Sequence, residues 1–352
     1  MKEADAYRRS IVGRGAAGNP KNRFERIEVE PLEPGDGTRS ETVYLRDRSR
    51  SIIARNDSPD IGFDASINPY RGCSHGCAYC YARPTHEYLG LSAGLDFERK
   101  VLVKEDAPAL LRRELSSPRW EPKVLSMSGI TDPYQPVEKK LGITRRCLEV
   151  LAEFRNPVGI VTKNHLVTRD IDLLSELAGH GAALVAVSLT TLDDDLRRVM
   201  EPRTSRPVRR LAAIEKLAGS GIPVGAMTAP VIPGLTDHEL PSLLSAAAEA
   251  GATFAAYVPV RLPGAVSSIF EDWLERHFPD RKDKVLNRIR SMRGGKLNDA
   301  SFGSRMKGEG IFAEHIARLF DISRRRAGIG RFPKLATASF RRPGELQGPL
   351  FD

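Results

Sequence analysis

The stretch VGIVTKNHLVTRDIDLLSELAGHGAALVAVSL, residues 158–189, reads as strand, helix, strand. Two β-branched runs, VGIVTK (158–163) and ALVAVSL (183–189), flank a helical segment over 170–179. The alternation continues outward. Further strands are expected at FDASINPY (63–70), KVLSMS (123–128), IPVGAM (222–227) and TFAAYVPV (253–260). Helices are expected at 105–115, 141–155, 192–200, 207–219 and 237–250. Within 141–154, Ile143, Cys147, Leu148, Leu151 and Phe154 recur at helical spacing on one face. Six strands that each lead into a helix argue for parallel β/α units. Six units are two short of a closed eight-unit barrel. The expected fold class is therefore α/β, a partial (β/α)6 TIM-type barrel, with working residues at the C-terminal ends of its strands.

The flanks break this rhythm. Residues 1–55 are polar, rich in Arg, Gly, Pro and Glu, and read as an extended N-terminal arm that packs onto the main unit. The barrel core is assigned to 56–262 and a basic, mainly helical C-terminal extension to 263–352. Two amphipathic helices are expected at 267–279 and 281–293, a Gly-rich link follows, and a third helix is expected at 311–323. The tail beyond reads as loop or a short hairpin.

The chain has 352 residues, 28% charged and 41% hydrophobic, which fits a globular protein. No apolar run is long enough for a membrane span, and the N-terminus lacks the apolar core of a secretory signal, so a cytoplasmic location is expected. The formal charge is +9. Residues 281–342 hold 17 Lys or Arg against 5 Asp or Glu, an excess that fits contact with nucleic acid as well as a solvated arginine-rich surface.

Three of the four cysteines fall together in NPYRGCSHGCAYCYARPTHEYLG (68–90), as Cys73, Cys77 and Cys80. The spacing is C-x3-C-x2-C, directly after the first expected strand. Gly72 and Gly76 permit a tight backbone there. Four cysteines in a reducing compartment argue against a disulfide framework. Structural zinc wants four ligands; His75 and His86 are near, but no second C-x-x-C pair exists. A redox C-x-x-C reading leaves Cys73 idle. A [4Fe–4S] cluster takes thiolates, and three of them leave one iron open to a small molecule. Cys147, on the core face of its helix, reads as a small buried hydrophobe.

The triplet, with Tyr79 just before its last cysteine, resembles the radical S-adenosylmethionine superfamily. CAYCYARPTHEYLG (77–90), SGITDPYQPVE (128–138) and VTKN (161–164) look like the branch related to spore photoproduct lyase. GRGAAGNPKNRFE (13–25) is similar to an uncharacterised bacterial subgroup of that branch. The resemblance implies that Cys73, Cys77 and Cys80 hold a [4Fe–4S] cluster and that S-adenosylmethionine chelates the open iron. A reductant protein of flavodoxin or ferredoxin type is implied as partner. One electron would release a 5′-deoxyadenosyl radical that takes hydrogen from substrate, a step carried by the cofactor.

The same resemblance assigns cofactor contacts. Tyr79 and Tyr81 lie on the cysteine loop. Ser128, Thr131 and Asp132, after the second strand, offer acceptors to the methionine ammonium. Lys163 ends the third strand and faces the cofactor carboxylate or ribose, and Ser188 ends the fourth near the ribose. Arg198 and Arg203 are both offered as a carboxylate clamp. Asp237 reads as a helix cap. His86, His165 and His238 read as surface or capping histidines. One departure limits the analogy: the lyase uses a cysteine near strand two as hydrogen donor, and VLSMSG here has none. Thymine-dimer repair is thereby in doubt, and neither Tyr79 nor Tyr134 is singled out as a radical partner. The alternative reading is a non-catalytic, zinc- or cluster-stabilised nucleic-acid-binding protein.

Overall fold

The computed structural model describes residues 13–24 and 41–343. The segments 1–12, 25–40 and 344–352, which include most of the expected arm and the end of the tail, lie outside the described residues.

Six parallel strands form the body of one sheet: β3 (Ala65–Ile67), β6 (Leu125–Met127), β7 (Val158–Thr162), β8 (Ala183–Ser188), β9 (Val224–Val231) and β10 (Phe254–Pro259). They lie side by side in chain order. Each of the six expected strands is present, though the first is short. A further strand, β2 (Ile53–Arg55), pairs antiparallel with β3 and forms one edge. The sheet is open: β10 forms the other edge, and no backbone pairing joins β2 to β10 among the described residues.

Side chains bridge the two edges instead. Asp60, in the β2–β3 connection, accepts from the Gly303 amide at 2.7 Å and from Arg305 Nε at 2.5 Å. Arg305 also reaches the Ser58 hydroxyl.

The helices follow the expected rhythm: α1 (Leu95–Arg99), α2 (Ala107–Ser116), α3 (Glu138–Leu141), α4 (Ile143–Phe154), α5 (Ile171–Gly179), α6 (Asp194–Met200), α7 (Pro207–Gly219) and α8 (Leu240–Glu249). The helix expected over 141–155 is α4, which starts at Ile143 because Gly142, with a left-handed φ of 64°, separates it from α3. The apolar face of α4 is buried as its spacing predicts, with Cys147 fully enclosed. Three helix-to-strand turns repeat one device. After α5, α7 and α8 a glycine (Gly181, Gly221, Gly251) takes positive φ. The next amide (Ala182, Ile222, Ala252) then bonds back to the helix, to Leu177, Leu217 and Ala247, at 2.9, 3.1 and 2.9 Å. This is a Schellman ending, and it satisfies carbonyls the helix would otherwise leave unpaired.

The C-terminal extension is helical, as expected: α9 (Val266–His277), α10 (Pro279–Ser291) and α11 (Gly310–Arg326). No hairpin forms over 327–343; Gly330 makes one parallel bridge to Phe254. The helix α10 turns Val285, Leu286 and Ile289 inward, into an apolar cluster that also holds Cys77, Tyr79 and Trp273. No described helix is long and apolar enough to cross a membrane.

Sequence patterning missed a second, small sheet. Here β5 (Lys100–Val103) pairs parallel with β1 (Val43–Arg46) and antiparallel with β4 (Tyr70–Arg71). It adjoins the start of the cysteine loop.

Candidate active site

The cysteine loop leaves β4 and is held on every side. Gly72 and Gly76 both take positive φ, 78° and 69°. A Cβ at Gly72 would lie 2.9 Å from the Phe97 carbonyl, and the Cys73 amide bonds to that carbonyl at 2.9 Å. Gln135 clips the loop start, accepting from the Ser74 amide at 3.0 Å and donating to the Gly72 carbonyl at 3.1 Å. Arg83, fully buried, donates twice to the Cys77 carbonyl, at 3.1 and 2.8 Å, and to the carbonyls of Ala93 and Gly94. Its charge is met by Glu98 at 2.5 Å, both side chains being sealed from solvent. Glu98 also accepts from the amides of Gly15 and Ala16.

That contact places the N-terminal segment behind the loop. Gly15 runs so close that a Cβ there would lie 2.0 Å from the Gly76 carbonyl oxygen and 2.8 Å from the Ala78 amide. Arg14 and Ala16 are buried. Residues 14–16 of the expected arm thus pack against the core, as expected of it, while β1 (Val43–Arg46) stays exposed.

Cys73 and Cys77 are buried and Cys80 is half-buried. Cys73 and Cys80 share one apolar cluster with Ala82 and Phe97, while Cys80 also packs against the cluster holding Cys77. Burial pushes the Cys77 thiol well above its ordinary value, with Glu201 adding and Lys163 opposing. Burial likewise raises Cys80, opposed by Arg83. No three His, Cys, Asp or Glu side chains are gathered as ligands of one metal ion among the described residues.

The loops after β6, β7 and β8 converge on this segment. Asp132 is the joint between them. Its Oδ1 accepts from the Thr162 hydroxyl at 2.7 Å and the Tyr134 amide at 2.9 Å; its Oδ2 accepts from the Lys163 amide at 2.8 Å. His75 Nδ1 stands 3.4 Å from Oδ2. Burial would raise the Asp132 pKa, but His75 and these donors outweigh it and hold it below the usual carboxylate value. For His75, burial acts to lower the pKa, and Cys73 and Asp132 overcome it, up to about 9.

A buried carboxylate that sequence reasoning passed over, Glu201, organises the other side. It accepts from the Tyr79 hydroxyl, from Thr190 Oγ1 at 2.9 Å and from the guanidinium of Arg210, and Lys163 Nζ lies 3.9 Å away. Burial favours its neutral form, yet Arg210, Lys163 and Tyr79 bring its pKa down to about 2. Nearby backbone bonds fix the cysteine loop to the end of α6: Ala78 amide to Met200 carbonyl at 3.0 Å, and Arg203 amide to His75 carbonyl at 3.2 Å.

The expected contact residues are therefore placed as follows. Tyr79 is buried against Glu201, while Tyr81 is half exposed and donates to the Gly129 carbonyl at 2.9 Å. Ser128 is half-buried with a left-handed φ of 121°, a strained backbone for a non-glycine residue. Thr131 is buried and donates to the Tyr70 carbonyl at 3.0 Å. Lys163 is drawn inward, 3.4 Å from the Ala229 carbonyl and 5.9 Å from the Tyr79 ring centroid. Ser188 is buried, its carbonyl accepting from Arg210 at 3.0 Å. Arg203 is exposed and reaches Thr42 at 3.3 Å.

Arg198 is not in this group; it is exposed on α6 and paired with Asp195. Tyr134 is sealed in the core, donating to Asp170 at 3.1 Å. Two smaller expectations are corrected. His86 is not a surface histidine: it is buried, with Nε2 2.9 Å from the Lys100 carbonyl. Asp237 does not cap α8; it opens a short 3-10 turn whose N-cap is Thr236, and it pairs with Arg288 at 3.4 Å. His165 is half-buried and His238 exposed.

The Radical SAM superfamily model matches residues 67–247. An uncharacterised protein of Mycobacterium tuberculosis is 40% identical over 222 residues, which make up 62% of this chain. The chain spans 65% of the length of that relative. An uncharacterised protein of Methanocaldococcus jannaschii is 28% identical over 63% of this chain and 79% of its own. Among solved structures, a variant of spore photoproduct lyase matches with a TM-score of 0.58 at 17% identity, covering 86% of both chains. Another, with bound AdoMet and dinucleoside spore photoproduct, gives 0.57 at 18% identity over 86% of this chain and 84% of that one. At such identities the likeness is one of fold. With the family model covering half of its residues, the cysteine loop included, this chain belongs to the Radical SAM superfamily.

Proposed function

We propose that the protein uses a [4Fe–4S] cluster, held by Cys73, Cys77 and Cys80, and S-adenosylmethionine to abstract hydrogen from a substrate at the C-terminal mouth of an open, six-unit partial barrel. The observation that carries this reading is the enforced loop at 72–83. Three thiols and no fourth cysteine are offered by a backbone that Gln135, Arg83 and Gly15 hold from three directions.

The donor set fits the group. A single metal ion draws its ligands round one centre, and the described residues hold no such arrangement. The cysteines of a cluster each ligate a different iron, so they need only border one space. Ligation requires thiolates, and burial holds Cys77 and Cys80 as thiols in the empty protein, so loading releases protons. When bound and reduced, the cluster supplies the electron that cleaves S-adenosylmethionine to methionine and a 5′-deoxyadenosyl radical.

The chain's own residues then have definable work. Arg83 and Gln135 fix the loop through its backbone, leaving the sulfurs free. Asp132 ties the loops after β6 and β7 together, so Thr131 and Lys163 move as one body with the cysteines. Glu201 positions Tyr79 beside Cys80 and keeps Lys163 turned inward. Tyr81 and Arg203 are the least enclosed of the expected contacts. The excess of cations over 281–342 supports nucleic acid as a partner in this reading.

The test is elemental and catalytic. Protein purified without oxygen is to contain iron and acid-labile sulfide, lose both when the three cysteines are replaced by alanine, and yield 5′-deoxyadenosine with dithionite and S-adenosylmethionine. Iron-free protein from the intact sequence would refute the reading. For the nucleic-acid partner, affinity that does not fall with salt would remove that element.

A further inference from the structure

One guanidinium at the mouth of the sheet has no anion. Arg261 follows β10 by two residues, so it stands at the C-terminal end of the strands, where the proposed chemistry takes place. It is half-buried. Its Nε is enclosed without any acceptor, and its NH1 meets only the sulfur of Met306, at 3.1 Å. A thioether is a weak acceptor. No carboxylate pairs with Arg261 among the described residues, although Asp60 and Asp299 lie within electrostatic reach. Both are already engaged. Asp60 is taken by Arg305 and the Gly303 amide, and Asp299 by the Ser301 amide and the Ser304 hydroxyl.

The neighbouring cations make the vacancy sharper. Arg293 is buried and satisfied by two carbonyls, those of Arg305 and Val260, both at 2.9 Å. Arg305 is satisfied by Asp60 and Ser58. Of the three guanidiniums, Arg305 holds a carboxylate and Arg293 two carbonyls, while Arg261 has neither. Tyr81, next to Cys80 in sequence, lies within its electrostatic reach and points its hydroxyl at Gly129 on the loop after β6. A buried donor without an acceptor costs free energy, and folded proteins rarely carry one without use. An incoming oxyanion would take the hydrogens of Nε and NH2, which lie on one edge of the guanidinium and form the bidentate fork for which arginine is suited.

We propose that Arg261 is the substrate-anchoring residue of this enzyme and receives a phosphate group of the substrate at the C-terminal end of β10. This rests on the radical-SAM reading of the site and adds the substrate class to it: a phosphate-bearing molecule. Locally three guanidiniums exceed Asp60 and Asp299 by one charge, and the wider cation excess over 281–342 favours phosphate over a carboxylate.

The test needs no turnover. Full-length protein, purified without oxygen and kept free of reductant and S-adenosylmethionine, is titrated with inorganic phosphate at constant ionic strength by calorimetry, with acetate as a parallel probe. Phosphate is expected to bind the parent protein, about tenfold more weakly after Arg261→Gln, with Arg261→Lys in between because it keeps charge but loses the fork. Arg198→Gln, on an exposed paired arginine, is expected to bind as the parent does. Urea midpoints of all variants check that folding is intact. The proposal is overturned by three results: no phosphate binding to the parent, unchanged binding after Arg261→Gln, or acetate binding more tightly than phosphate. A further overturning result is loss of binding only in Arg281→Gln, which would move the anion to the basic surface of α10. Iron content is measured separately, so failure of the anion site and failure of the cluster reading are told apart.

Discussion

Replacing Glu201 by glutamine tests whether this buried carboxylate holds the second wall of the site. Glu201 is inaccessible, and so is its partner Arg210. Its carboxyl ionises near pH 2 in the folded protein against an ordinary value of 4.5. That difference corresponds to about 3 kcal/mol of folded-state stabilisation. The figure agrees with the ~3–5 kcal/mol expected when one partner of a buried ion pair is removed. Because the folded pKa is depressed, the contribution is complete above pH 4.5 and fades as pH falls toward 2. Urea unfolding of parent and Glu201→Gln proteins, both cluster-free, should differ by about 3 kcal/mol at pH 7, or roughly 4 °C in melting temperature. The difference should shrink steadily between pH 4.5 and pH 2. A loss below about 1 kcal/mol at pH 7, or a difference independent of pH across that window, would refute the assignment of Glu201 as an ionised clasp on Tyr79 and Arg210.

Other expectations follow from the same contacts. Glu98→Ala strands the Arg83 charge in the interior and should cost about 3–5 kcal/mol in urea unfolding, with faster amide exchange at Gly15 and Ala16 by mass spectrometry. Gly15→Ala pushes a methyl group into the backbone at Gly76 and Ala78, where nothing flexible can give way. It should lower retained iron per chain as well as stability, the latter by about 1–3 kcal/mol. Cys147→Ala should leave iron content unchanged while Cys73→Ala abolishes it, both read by colorimetric iron assay; equal losses would contradict the separation of Cys147 from the site.

The sequence made the sheet legible because six short β-branched runs alternate with helical periodicity, and three of the helix endings carry a glycine, Gly181, Gly221 and Gly251. The cysteine loop was equally plain, as its spacing is local. What escaped were partnerships made across long separations. Tyr79 and Glu201 are 122 residues apart, and Arg83 shares Glu98 with Gly15 and Ala16, 83 and 82 residues from Glu98. No periodicity reports such pairs. A signal did exist in GRGAAGNP: glycines at 13, 15 and 18 between charged residues suggest backbone in close approach, which is how Gly15 meets Gly76. The small sheet was missed because VYLR and KVLV are too short, and too exposed in the first case, to alternate visibly. Asp132 was singled out as an acceptor for a cofactor ammonium. Its oxygens also accept from Thr162, Tyr134 and Lys163, donors that only the converging loops bring together.

The Asp60 bridge carries a consequence for how the molecule is built during synthesis. Its two ends are separated by 243 and 245 residues. A nascent chain emerging amino end first would complete every parallel strand long before Arg305 leaves the ribosome. Until then the flank between β2 and β10 stands without its lateral tie, and the ledge that carries Arg261 has no Met306 against it. Assembly of the sheet and closure of its side are thereby ordered in time: the strands can pair while the flank is still ajar, and the segment around Arg305 then ties it.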